Sequence, residues 1–195
     1  MFKIITFLLL ACFYTAYFVK QIMLKKRGIN TNRLAKGEKP KRTLLIETFL
    51  LVITYITAVV QFLSVILSDW MGYFYLPTIV RIIGMIIILG GSVFFVLAIM
   101  VMKNNWRAGI DKTQKTQIVS NGIYRLSRNP AFLGFDLLYL GTFLAFPNII
   151  MMIFAVIGIV LLHLQILEEE KHLGSVFGEE YLTYKGRVGR YFLII

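Results

Sequence analysis

Five apolar runs, at 2–19, 43–67, 77–102, 131–146 and 149–166, take up most of this 195-residue chain and are divided by short polar segments. A bilayer core about 30 Å thick needs about 20 apolar residues of helix to cross it. The runs at 43–67 and 77–102 exceed that length, and those at 2–19 and 149–166 approach it. The run at 131–146 is short, which predicts tilting, local thinning or partial re-entry. Lipid offers the backbone no hydrogen-bonding partners, so such runs must be helices that satisfy their own N–H and C=O groups. Hydrophobic residues make up 58% of the chain, against roughly 45–50% in a soluble domain, which sets it apart as an integral membrane protein. Only Pro147 and Asn148 separate the last two runs, a connection so short that it must close an antiparallel helical hairpin. The expected fold is all-α and polytopic, one domain over 1–195 with about five transmembrane helices. Residues 1–102 form N-terminal spans, and 103–195 form the region that carries the chemistry.

Charge orients these spans. Lysine and arginine number 21 against 10 acids, and most of the excess lies in two loops, 20–42 and 103–128. Clustering between apolar runs argues for membrane topology and against a nucleic-acid partner. By the positive-inside rule both loops are cytoplasmic. The segment 68–76 has one acid, the aromatic anchors Trp70 and Tyr73, and no Lys or Arg, as an external turn should. Five spans then place the N-terminus outside and the C-terminus inside, with 2–19 read as a retained span. The loop 20–42 reads as a topology signal in contact with anionic lipid, and Arg81 as a side chain snorkelling to the outer interface. One cysteine, Cys12, precludes an intramolecular disulfide, and two histidines, His163 and His172, are too few for a metal cluster. His163, in an apolar stretch, is expected to be packed and hydrogen-bonded.

Chemistry concentrates around Pro130. The stretch 121–134 turns from a basic loop into an apolar helix, with Asn129 at the expected N-cap and Pro130 in the first turn. Arg125 and Arg128 lie within one turn upstream, where they face either an anionic ligand or lipid phosphates. Towards the C-terminus, 161–170 carries the last span out of the membrane, and 177–188 spaces Phe177, Tyr181 and Tyr184 along the face of an amphipathic cytoplasmic helix. Both segments flank the same hairpin on the same side, so they can meet. Between them stand three consecutive acids, Glu168, Glu169 and Glu170, which splay by about 100° each on a helix and so cannot clamp a metal together. No serine or cysteine sits in a nucleophile elbow. What remains suits a mechanism in which a reactive cosubstrate is held beside a nucleophile from the lipid. Glu169 or Glu170, with a helix terminus and aromatic rings, suits an amino group, a ribose and an adenine. Acids ending a helix oppose its dipole unless the helix continues, so Arg125, Arg128 and Arg190 are their expected partners. Asp136, about two turns into the fourth run, reads equally as a functional acid or a hydrated one.

The core Gly122-Ile-Tyr124-Arg-Leu-Ser-Arg128-Asn129-Pro130-Ala-Phe132-Leu-Gly134 resembles the Gly-x-Tyr-x-x-x-Arg-His-Pro-x-Tyr-x-Gly signature of the isoprenylcysteine carboxyl methyltransferase family. The tail, from Glu169-Glu170 through Leu173, Phe177-Gly178, Tyr181 and Tyr184 to Val188-Gly-Arg190, is similar to that family's second motif. Two ordered motifs across a hairpin make a specific match, covering about 106–192. The resemblance implies S-adenosylmethionine as cofactor, a lipophilic small molecule or lipid from the bilayer as methyl acceptor, and no metal. By the same resemblance, cofactor contacts fall on Thr116, Gln117, Ile118, Val119, Tyr124, Asn129, Pro130, Ala131, Phe132 and Glu169. The catalytic candidates are Arg128, Glu170 and Arg190, and Gln165 is the substrate contact. Asn129, Phe132 and Gly189 stand where the family has histidine, tyrosine and proline. The first two changes remove possible cofactor hydrogen bonds but keep an N-cap and a stacking face. Gln165 stands where prenylcysteine-methylating members carry an arginine for the substrate carboxylate, so the expected acceptor is neutral or amine-bearing. Phospholipid N-methylation is the nearest alternative, followed by lipid reduction with NADPH and by a non-catalytic scaffold of the same fold.

Overall fold

The computed structural model describes residues 1–72, 74–110 and 117–192. Tyr73, expected as an outer anchor, and Thr116, expected at the cofactor, lie outside the described residues. Among the described residues six α-helices follow one another: α1 Phe2–Lys26, α2 Lys41–Ile66, α3 Thr78–Met102, α4 Pro130–Ala145, α5 Ile149–Phe177 and α6 Glu179–Lys185. The helices α1, α2 and α5, with α3 and its 3-10 extension to Asn105, are long and apolar enough to cross a membrane. The 16 residues of α4 rise only about 24 Å, so this helix falls short of a full crossing, as its sequence implied. Leucine, isoleucine, valine and phenylalanine cover the outer faces of the long helices, where lipid replaces water as solvent.

Lipid tails are as apolar as leucine, so helices in a membrane associate through close packing and hydrogen bonds rather than by hydrophobic burial. Here α3 and α4 run antiparallel with paired glycines at their contact. A Cβ on Gly84 would lie 2.6 Å from the Ala145 nitrogen and 2.7 Å from the Gly141 oxygen, and one on Gly134 would lie 2.8 Å from the Gly91 oxygen. Polar bonds tie in the other helices. The amide of Gln61 on α2 donates to the Thr142 hydroxyl of α4 at 2.8 Å and accepts from the Tyr14 hydroxyl of α1. At the hairpin, Asn148 accepts the Met151 N–H as an N-cap and donates to Ser64 Oγ at 3.0 Å. His163 is hydrogen-bonded to the Tyr191 hydroxyl at 2.6 Å, which is the packed role expected of it.

Three local expectations change. Arg81 turns inward: its Nε donates to the Ala145 carbonyl at the end of α4, and its guanidinium lies over the rings of Phe2 and Phe146. The basic segment after α1 is a docked strap rather than a loose lipid contact. Thr31 and Arg33 exchange backbone bonds with Ala108, and the Lys39 ammonium, 3% exposed, bonds Glu47 at 2.6 Å. Finally, α5 runs on to Phe177, and Gly178, at φ +50°, breaks it from a short α6 that ends by Gly186. The helix expected over 177–188 is therefore divided, and the three acids sit two turns inside α5, where the dipole cost of a helix end does not apply.

The glycine contact yields a direct test. Gly141→Val should destabilise the protein by about 1–3 kcal/mol, since the added carbons meet backbone that cannot move aside. Gly90→Ala, where nothing lies within 4 Å, should leave thermal unfolding in detergent unchanged or slightly raised. Equal melting of the two variants would show that the helices tolerate a wider spacing.

Candidate functional site

Three consecutive acids on α5 point three ways, as a 100° step requires. Glu168 faces the start of α2, accepting from Thr43 Oγ1 at 2.6 Å with Arg42 Nε at 3.5 Å. Glu169 accepts from Gln165 Nε2 at 3.1 Å, one turn earlier. Glu170 faces the α4 start and the tail. Its Oε1 accepts Arg128 Nη2 at 2.9 Å and Asn129 Nδ2 at 3.4 Å, and its Oε2 accepts Arg190 Nη2 at 3.0 Å. Arg128, Glu170 and Arg190 are thus brought together as expected, bonded to one another in an ion cluster. The side chains of Arg128 and Glu170 are 8% and 6% exposed. Arg125, by contrast, is exposed at the surface.

The cluster clasps the tail against the motif loop. Arg128 Nη1 also donates to the carbonyls of Lys185 and Val188, and the Arg128 N–H donates to the Gly189 carbonyl at 3.0 Å. Ser127 Oγ accepts the Asn129 N–H and donates to the Arg190 carbonyl. Tyr184 donates from its hydroxyl to the Tyr124 carbonyl at 2.7 Å. Asn129 occupies the N-cap position, but its side chain makes no cap bond because it is engaged with Glu170 and the Arg190 carbonyl.

One cavity adjoins this clasp and a second lies beyond it. The smaller, of about 180 Å³, has Gln117, Ile118, Val119, Tyr124, Asn129, Ala131, Phe132 and Glu169 on its walls, together with Tyr181, Tyr184 and Arg128. Of the described cofactor candidates, Pro130 alone is absent from these walls; it is buried as the first residue of α4. Glu170 and Arg190 lie outside both cavities. Burial raises the Tyr181 phenol to about 12, with the Glu170 charge adding to the effect, and burial lifts Tyr124 and Tyr184 further still. These rings are neutral at ordinary pH and offer faces and hydroxyls rather than charge. A carboxylate beside aromatic faces suits a molecule that carries an ammonium and a flat heterocycle. Among the described residues no cluster of His, Cys, Asp or Glu could hold a metal ion.

The larger cavity, about 310 Å³, opens between α1, α2, α4 and α5 and is lined by Tyr14, Tyr17, Thr54, Phe62, Phe135 and Gln165 among others. The two cavities share Trp106, Arg107, Gly109, Ala131 and Phe132 as a common partition. Sequence reasoning placed Ala131 and Phe132 but missed 106–110, which owes its position to docking on the 31–34 strap. Gly109 is the available signal: it adopts φ +90°, and a Cβ there would lie 2.8 Å from the Leu34 nitrogen.

A family model described as phospholipid methyltransferase matches residues 79–180, just over half of the chain, from α3 into the start of α6. No curated protein matches the chain. If the clasp holds this region together, Glu170→Gln should lower stability by about 3 kcal/mol, because two guanidinium groups lose their charged partner. Hydrogen exchange over 181–192 should rise with it. Unchanged stability and protection would show that the cluster does not hold the tail in place.

Proposed function

The chain belongs to the phospholipid methyltransferase family, membrane enzymes that depend on S-adenosylmethionine, and from that premise we propose that it methylates a lipophilic acceptor drawn from the bilayer. The observation that carries this reading is the pair of cavities with one shared partition. A group transfer needs two ligands held head to head, and here a polar, aromatic cavity at the helix ends meets an apolar one among the spans.

In this reading the smaller cavity takes the cofactor, with Glu169 bonding its ammonium and Tyr124, Phe132 and Tyr181 packing on its rings. S-adenosylmethionine supplies, when bound, a methyl group already activated on a sulfonium. The chain therefore needs no strong acid or nucleophile of its own; its residues bind, align and dehydrate. Arg128, Glu170 and Arg190 serve by holding the tail as one wall of the cofactor cavity. Trp106, Ala131 and Phe132 bring the acceptor head up to the partition, and Tyr14, Tyr17 and Phe62 exclude water from its chain. Arg107 adds a positive charge beside both cavities, suited to a lipid phosphate. The basic segments 20–42 and 103–128 flank the site, which supports a cytoplasmic mouth, an external N-terminus and a cytoplasmic C-terminus.

Purified protein in phosphatidylethanolamine nanodiscs, incubated with S-adenosylmethionine bearing a deuterated methyl group, should place that label in the lipid fraction read by mass spectrometry. Glu169→Gln should weaken cofactor binding by about 1.5–3 kcal/mol in calorimetry through loss of a charged hydrogen bond. A lipid fraction free of label, with cofactor bound, would overturn bilayer lipid as acceptor. Unchanged affinity in the variant would remove Glu169 from the cofactor site.

A further inference from the structure

Glu47 on α2 lies outside the family-matched region, is fully buried, and stands at the centre of a polar network. Its Oε2 accepts the Lys39 ammonium at 2.6 Å and the Ala35 N–H at 2.9 Å. Its Oε1 accepts the Ile110 N–H at 3.2 Å and Gln165 Nε2 at 3.4 Å. Gln165, also fully buried, gives its second Nε2 hydrogen to Glu169 at 3.1 Å. Both amide hydrogens are therefore spent on carboxylates, which accept and do not donate when ionised. The amide is held in one orientation, since turning it over would set its oxygen against two carboxylates. Its Oε1 is buried without a hydrogen-bond partner, in a side chain that lines the larger cavity. Unpaired buried acceptors are rare in folded proteins, and one on a cavity wall suits a ligand that brings the missing donor.

We propose that Glu47 is a positioning residue that fixes the Gln165 amide with its oxygen towards the acceptor cavity, where that oxygen takes a hydrogen bond from an N–H or O–H of the acceptor head. The assignment rests on reading the larger cavity as the acceptor site. It makes the presence of a donor, rather than positive charge alone, the recognised feature. A carboxylate head finds no donor in this amide and faces Glu47 and Glu169 behind it. A quaternary ammonium keeps its charge but has no N–H, so the bond is lost at the last methyl group. Glu47 also explains how the strap and the 106–110 segment bear on acceptor choice, because Ala35, Lys39 and Ile110 hold its carboxylate in place.

Binding of a matched lipid series tests this without turnover. The probes are hexadecylphosphoethanolamine, its N-methyl and N,N-dimethyl forms, and hexadecylphosphocholine, titrated into protein in maltoside detergent. The wild-type protein should bind the three donor-bearing heads about tenfold tighter than the choline lipid, with the step at the third methyl. Gln165→Met, which keeps the length and removes the amide with its oxygen, should level the series. Glu47→Gln should shrink the preference to about two- to threefold by freeing the amide to turn, a change in ratio that lost stability alone would not produce. Equal binding of ethanolamine and choline lipids by the wild type, or a preference that survives Gln165→Met, overturns the proposal. Should Glu47→Gln fail to fold, the Gln165→Met series still decides the role of the oxygen. Intact lipid preference with no label transferred would fault the methyl-transfer reading and leave this assignment standing.

Discussion

A carboxylate buried among helices is tolerated only if charges and donors surround it, and Glu170 has that environment in Arg128, Arg190 and Asn129. The three partners come from the loop before α4 and from the tail after α6, segments about 60 residues apart in sequence. Satisfying one charge thus folds the tail over the end of the hairpin. Tyr181 and Tyr184 become walls of a cavity, and Arg128 spends its remaining donor on the carbonyls of the tail. The cost of burying the ions is offset within the cluster, and the product is shape.

The same economy of position governs the neighbouring acids. Consecutive glutamates on a continuous helix cannot act as a unit, so each serves a different boundary: Glu168 the start of α2, Glu169 the smaller cavity, Glu170 the clasp. Continuation of α5 to Phe177 makes this possible, because it keeps the acids on a rigid helix rather than a fraying end. Meanwhile the glycine contact between α3 and α4 sets the depth at which α4 begins. Ala131 and Phe132, in the first turn of α4, are thereby held on the partition.

Much of this was legible in the sequence. Apolar length gave the spans, Asn129-Pro130 gave the start of α4, and Pro147-Asn148 gave the hairpin. The resemblance pointed to eight residues that the structure places on the smaller cavity, five of them, Tyr124, Asn129, Ala131, Phe132 and Glu169, inside the two motifs, where local geometry fixes their spacing. What stayed hidden depends on contacts between distant, irregular segments. The pairing of Thr31 and Arg33 with Ala108 has no periodic signal, and nor does the burial of Lys39 against Glu47. Charge content suggested cytoplasmic loops, the first of them in contact with anionic lipid. Reach in three dimensions, not composition, made them walls. Likewise the run of α5 past its acids was obscured by a change from apolar to charged residues that resembles an exit from the membrane but does not end the helix.

Two cavities serve one reaction only if their contents meet at the partition. Ala131 lies on both sides of it, and Ala131→Leu adds bulk at that place while leaving Glu169 and the clasp untouched. Cofactor affinity by calorimetry and turnover by label transfer, measured side by side on this variant, test the arrangement directly. Affinity within about threefold of the wild type with turnover lowered about a hundredfold is the predicted result, since displacement of about 1 Å at the reacting centre has that effect. Turnover that survives the added bulk would contradict it and require the two ligands to meet elsewhere.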